Sequence, residues 1–230
     1  MTIENWMSID RELLYWFNGS NSQVLYGVAM TLTSGLTWLP LYMVLFYLVV
    51  KNNETMRQIT LVMASVAFCL FLSDGMADGV VKPLVARFRP CNDPIWRYTF
   101  DVVGNYRPDG FSFFSAHASN TMSLAIFFCL LVRSRMLSCF LIGWSLINCW
   151  TRLYLGAHYP FDILVGLLWG SISGSLAYYA YLRTYQKISP DSTYVSTQYT
   201  PSGYDFTGID MVVTTIVLTC MYALIKSLIV

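Results

Sequence analysis

The chain has 230 residues and a net charge of +1; 56% of it is hydrophobic and only 12% charged, about half the roughly 25% charged share of soluble domains. That balance excludes a disordered chain, a collagen-like repeat and a disulfide scaffold, and provides no overall field to gather nucleic acid. It predicts an integral membrane protein, an all-α polytopic helical bundle forming a single domain over residues 1–230.

In chain order, the segment from Met1 to Ser22 mixes Trp6, Met7, Leu13, Leu14, Trp16 and Phe17 with Glu4, Asp10, Arg11 and Glu12. Such a mixture predicts a short helix lying in the membrane interface. No basic stretch leads into a short apolar core, so no cleavable signal peptide is expected. Six apolar, charge-poor stretches near span length follow: Val24 to Val50, Ile59 to Val81, about Ser115 to Val132, Met136 to Thr151, Pro160 to about Leu182, and Ile209 to Ile229. The first is long and interrupted by Gly35 and Pro40, which predicts a tilted or partly interfacial course. Two segments do not suit lipid: Lys82 to Gly110, rich in charge and proline, and Lys187 to Asp205, rich in Ser, Thr and Tyr, which reads as a solvated loop.

With six crossings, both termini, the Lys82 to Gly110 loop and the short Arg152 to Asp162 connection share one face. The other face carries Lys51, Arg57, Arg133, Arg135, Arg183 and Lys187 against Glu54, Asp191 and Asp205. The positive-inside bias makes that face cytoplasmic and turns the charged loop outward, towards the periplasm if the membrane is a bacterial inner membrane. The six cysteines contain no C-x-x-C pair, and all but Cys91 lie in apolar runs, so they read as small packing residues.

Charge is placed where it is costly. Asp74, Asp78 and Lys82 stand near the end of the second span, and Arg152, His158 and Asp162 surround the start of the fifth; ionisable groups at membrane depth usually mark function. Arg87, Arg89, Arg97 and Arg107 lie in the intervening loop, while His117 and His158 open spans on the same face. Guanidinium forks match phosphate oxygens in paired hydrogen bonds. Ser115 to His117 and Pro160 mark helix N-termini, whose free N–H groups also favour an anion. His158 and Asp162 are four apart, a spacing that lets the carboxylate reach one ring nitrogen and leaves the other free as a nucleophile. His117 is then the candidate proton donor to the departing oxygen. Asp78 is expected to pair with Lys82, and Asp74 with Asp78 is a weak candidate for magnesium. Tyr154, Tyr159 and Trp96 read as interface anchors, and Gly166, Gly170 and Gly174 as close helix packing.

These residues resemble the three-part signature of the type 2 phosphatidic acid phosphatase superfamily: Lys82 with Arg89-Pro90, then Ser115-Ala116-His117, then Arg152 with His158 and Asp162. The resemblance covers about residues 73–182. It departs in Phe114 and Ala116, where the middle motif usually reads Pro-Ser-Gly-His, and in Thr151, where a Ser often precedes the Arg. Ala accepts positive φ less readily than Gly, so Ala116 is expected to tighten the phosphate loop. Pro201-Ser202-Gly203-Tyr204 imitates the motif without a histidine and on the opposite face.

The resemblance implies a lipid phosphatase without metal or other cofactor. His158 would be the nucleophile that forms a phosphohistidine, Asp162 would orient it, and His117 would act as acid and then base. Lys82, Arg89, Arg152, Ser115 and the N–H groups near Ala116 would hold the phosphate. Expected substrates are undecaprenyl diphosphate, lipid A or a glycerophospholipid phosphate, with the bilayer and its lipid as partners and no nucleic acid. A lipid phosphotransferase and a non-catalytic anion-binding membrane protein are the alternatives. Sequence says nothing of the oligomeric state.

Overall fold

The structure, a computed structural model, describes residues 3–20, 22–102, 106–188 and 198–229. Among these the β structure amounts to one isolated bridge, Tyr199 to Asp205, and the rest is helix and loop. Helix α1, Ile3–Phe17, buries Asp10 and Leu14 on one side and exposes Trp6, Met7, Leu13 and Trp16 on the others, as an interfacial helix should. Burial of Leu14 against Phe100 and Tyr159 is worth roughly 2 kcal/mol relative to water.

The first span is broken. Helix α2, Gln23–Leu32, ends before a 3₁₀ turn at Gly35–Trp38, and α3, Leu39–Lys51, leaves at 70° with Pro40 in its first turn. Proline removes a donor from the ladder, and the last carbonyls of α2 would be orphans at such a break. Thr37 Oγ1 donates to Thr31 O (2.6 Å) and Trp38 Nε1 to Leu32 O (2.9 Å), which satisfies two of them.

Helix α4, Met56–Asp74, begins with a reciprocal capping box between Thr55 and Gln58. It continues through a π-helical segment, Gly75–Val81, into the short α5, Lys82–Val85, which Ala86 stops with φ 48°. Helix α6, Ala116–Val132, is capped by Ser115 and buried on most of its surface. It is surrounded by α4, by α7 (Arg135–Tyr154) and by α8 (Pro160–Ile188), and α9, Phe206–Ile229, packs along the bent α2 and α3. The glycine stripe of α8 lies against the backbone of α6 at Ser115, Ser119 and Ser123, the close approach that small residues permit.

Among the described residues three helical runs suit a membrane crossing by length and composition, Met56–Asn92, Pro160–Lys187 and Phe206–Ile229, with a fourth if the bent α2 and α3 count as one. The expected six is therefore not reached on these criteria. Helix α6 has only 17 residues, and α7 is diluted by Ser138, Ser145, Asn148 and Arg152. Tyr154 and Tyr159 are buried, not interface anchors, and Trp96 packs under Arg11 (4.3 Å to the ring). The described cysteines are all free. Ser202 donates to Val132 O, at the end of α6 remote from His117, and Asp191 lies outside the described residues.

Candidate active site

Three chain segments meet at the face where α6 and α8 begin and α7 ends. The turn after α7 reverses through Gly156, whose φ of 63° a side chain would strain. It accepts Cys91 N–H at its carbonyl (3.2 Å), so the Arg89 loop is sewn to the His158 turn. Arg89 Nε points at Asp109 O (3.1 Å) and Gly110 O (3.3 Å), and its Nη1 at Ala157 O (3.3 Å) and His158 Nε2 (3.0 Å). A guanidinium has donors only. The Nε2 facing it must therefore present its lone pair, and the ring proton belongs on Nδ1.

His158 is 1% exposed. Burial first, then Arg89, Arg152, Lys82 and His117, push its pKa well below the ordinary histidine value, so the imidazole is neutral at physiological pH. A neutral ring with its lone pair on Nε2 has the protonation state that a nucleophile requires.

The expected direct contact between His158 and Asp162 is not made. Nδ1 and Oδ2 are 3.7 Å apart, beyond hydrogen-bond reach. The Ser112 hydroxyl stands between them: it bonds to Asp162 Oδ2 and lies 3.4 Å from Nδ1. Geometry explains the difference, because the i,i+4 rule applies within a helix and His158 precedes α8. Asp162 Oδ2 instead accepts Tyr159 N–H (2.9 Å) and so caps the helix in which it lies.

Arg152, 2% exposed, donates from Nη1 to Thr33 Oγ1 (2.6 Å) and Tyr106 OH (2.9 Å), while its buried Nε has no partner. Lys82, mostly buried, pairs with Asp78 as expected. Lys82, Arg89 and Arg152 lie within electrostatic reach of His117, an exposed side chain on the first turn of α6. Ser115 Oγ accepts Ala118 N–H (3.4 Å), and its own N–H goes to Asp162 O (3.1 Å). The next N–H groups, of Ala116 and His117, have no intrahelical partner. Ala116 sits inside the helix and is not among the positive-φ residues, so the expected strain from Ala in place of Gly does not arise.

The remaining charges are accounted for structurally. Asp74 accepts from Asn120 (2.9 Å), and among the described residues no group of three His, Cys, Asp or Glu side chains gathers to hold a metal. Arg107 donates to Cys91 O, and Arg97 lies over Tyr98. Ser112, Thr33 and Tyr106 touch the site residues, and Asp10 touches Arg87, without belonging to any sequence pattern; Arg87, two residues before Arg89, is the exception that its position could have flagged.

A buried imidazole ringed by cations at one face of an apolar helical bundle defines an integral membrane phosphatase. Residues 58–186 match the PAP2 superfamily. A protein from Bacteroides thetaiotaomicron named lipid A 4′-phosphatase is 35% identical over 192 residues, 83% of this chain and 84% of that one. A Porphyromonas gingivalis protein of the same name is 27% identical over 178 residues, 76% and 74% of the two chains. The crystal structure of Aquifex aeolicus LpxE shares the fold with a TM-score of 0.57 at 20% identity, covering 77% of this chain and 98% of that one. The chain belongs to the PAP2 superfamily, the type 2 phosphatidic acid phosphatases.

Proposed function

We propose that this membrane lipid phosphatase removes the 4′-phosphate of lipid A through a phosphohistidine on His158. The observation that carries the mechanism is the His158 Nε2 lone pair facing Arg89, 3.0 Å away, beside a buried Arg152 Nε that has no acceptor. Two relatives named for lipid A 4′-phosphate support the substrate.

An entering phosphate gives Arg89 and Arg152 the anionic oxygens they lack, with Lys82, the Ser115 hydroxyl and the N–H groups of Ala116 and His117 completing the cradle. Turning Arg89 towards the phosphate uncovers Nε2, which attacks phosphorus in line. The P–O bond to the sugar breaks, and His117, which takes up a proton as the phosphate dianion enters, gives it to that oxygen. As the His158 ring becomes cationic, its Nδ1–H is held through Ser112 by the Asp162 carboxylate. His117, now neutral, takes a proton from water; the resulting hydroxide attacks phosphorus, the N–P bond breaks and free phosphate leaves. No step calls for a metal.

The same reading keeps residues 1–230 as one membrane-embedded domain of about six crossings, in the inner membrane, with the site on the periplasmic face. Its support is the placement of Arg133, Arg135 and Arg183 at the helix ends remote from His117. Purified protein in detergent, assayed with EDTA for phosphate release from lipid A, undecaprenyl diphosphate and a phosphatidylglycerophosphate, tests it. Lipid A is expected to lose its 4′-phosphate fastest, and His158→Ala to release none. Equal rates on all three lipids would overturn the substrate, phosphorylated lipid acceptor in place of free phosphate would overturn hydrolysis, and an active His158→Ala would overturn the mechanism.

A further inference from the structure

Buried charge outside the phosphate pocket forms a second, connected layer. Arg87 lies under the site with its guanidinium 4.0 Å over the Tyr159 ring. Its Nη1 donates to Asp162 Oδ1 (2.7 Å) and its Nη2 to Asp10 Oδ2 (2.6 Å). Asp10, on the interfacial helix α1 and 1% exposed, accepts at its other oxygen the Phe161 N–H (2.9 Å). One carboxylate from α1 thus caps the first turn of α8 in trans and holds the arginine that grips the site carboxylate.

Each link has a physical requirement. Asp162 is fully buried, and a buried carboxylate without a cation is costly. Its Oδ2 is already taken by Tyr159 N–H and Ser112, so Oδ1 is the oxygen through which its orientation is set, and Arg87 is the partner there. Arg87 in turn is planar and would rotate about its stem with one partner; the second, Asp10, fixes its plane. Without Arg87, two buried carboxylates face one another unneutralised. Both Nη groups are spent on Asp10 and Asp162, which leaves only the buried Nε without a partner.

Building on His158 as the nucleophile, we propose that Arg87 and Asp10 are positioning residues for phosphoryl transfer: through them the interfacial helix α1 fixes Asp162, and Asp162 through Ser112 holds the attacking ring. The exposed apolar side of α1, with Trp16 85% exposed, puts that brace where the helix meets the bilayer surface.

The test uses full-length protein in detergent with a lipid A substrate: wild type, Arg87→Gln, Arg87→Lys, Asp10→Asn, and Asp10→Asn with Arg87→Gln. Misplacement of a reacting group by about 1 Å can cost 100-fold, so Arg87→Gln is expected to lower kcat roughly 10- to 100-fold with KM within two-fold and with slowed formation of the phosphohistidine in rapid-quench runs. Arg87→Lys should recover part of kcat, Asp10→Asn should lose less than Arg87→Gln, and the double variant should be no worse than Arg87→Gln alone because both act on one carboxylate. Thermal unfolding and vanadate binding accompany each variant; if Arg87→Gln fails to fold, the kcat of Asp10→Asn decides. A raised KM at unchanged kcat would make Arg87 a headgroup contact and overturn the proposal. So would wild-type kcat in folded variants, or losses that multiply in the double variant. His158→Ala in the same series separates the two ideas: its retained activity refutes the nucleophile, whereas its inactivity beside a fully active Arg87→Gln refutes only the brace.

Discussion

Replacing Gly166 by Ala adds one methyl group at the joint between the two helices that carry the opposing halves of the site. A Cβ there would lie 2.7 Å from Ser115 O and 3.0 Å from Ala118 Cβ, whereas close C···O contacts settle near 3.3 Å. Both neighbours belong to α6 and neither is the end of a flexible side chain, so α8 must move out by about 0.6 Å to restore that contact. Overpacking of this kind costs roughly 1–3 kcal/mol. The displaced atoms are the ones that matter: Ser115 caps the helix of His117, and its N–H holds Asp162 O at 3.1 Å, one turn before Gly166. Scaling from about 100-fold per ångström of misplacement, Gly166→Ala should lower kcat roughly 10-fold. Gly174→Ala is the control. Its Cβ would meet Ser123 O at 2.5 Å, at least as severe a clash, but eight residues, about 12 Å, further along α8. It should lower the unfolding temperature in detergent and leave kcat within two-fold. Phosphate release and thermal unfolding on both variants decide: an unchanged kcat in Gly166→Ala, or an equal loss in Gly174→Ala, would refute α6–α8 spacing as the determinant of site geometry.

Two further outcomes follow from the surroundings of His158 and Arg152. The chain has two histidines, so carbon-13 histidine labelling of His117→Asn isolates His158. Since its pKa is lowered by burial and by Arg89, Arg152 and Lys82, the ring stays neutral on acidification through the ordinary value and its resonance shifts only well below 6.5; titration at 6.5 or above would show that the ring is neither buried nor surrounded by cations. Thr33→Val removes the acceptor at 2.6 Å from Arg152 Nη1, and loss of a hydrogen bond to a charged group costs about 1.5–3 kcal/mol. Arg152 is then less well placed for phosphate, and KM for the lipid should rise several-fold with a smaller change in kcat; an unchanged KM would separate Thr33 from substrate binding.

What was legible in the sequence and what was not divide along one physical line. The candidates Lys82, Ser115, His117, Arg152, His158 and Asp162 can be singled out because each sits at or beside a helix end where a charged or capping residue is out of place in an apolar run, and helix ends on one face must converge; Arg89, in the charged loop, is marked by its spacing from Lys82. The break in the first span is legible for the same reason, Gly35 and Pro40 being residues whose backbone behaviour is local. The supports of these residues have no such mark. Ser112 lies 50 positions from Asp162, Thr33 119 from Arg152 and Asp10 151 from Phe161, and a serine, a threonine or an acid in an interfacial helix is unremarkable until packing supplies its partner. Local reasoning also misplaces Asp162 against His158, because it treats a spacing of four as helical when the helix begins between them. Tyr159 shows the converse error: an aromatic residue at a span end reads as an interface anchor, yet here its ring lies under Arg87 and its N–H under Asp162. The polar residues that approach the membrane surface are thus partitioned by whether another helix reaches them, and α1, which the sequence presents as a passive interfacial element, reaches Arg87 and the start of α8 through Asp10.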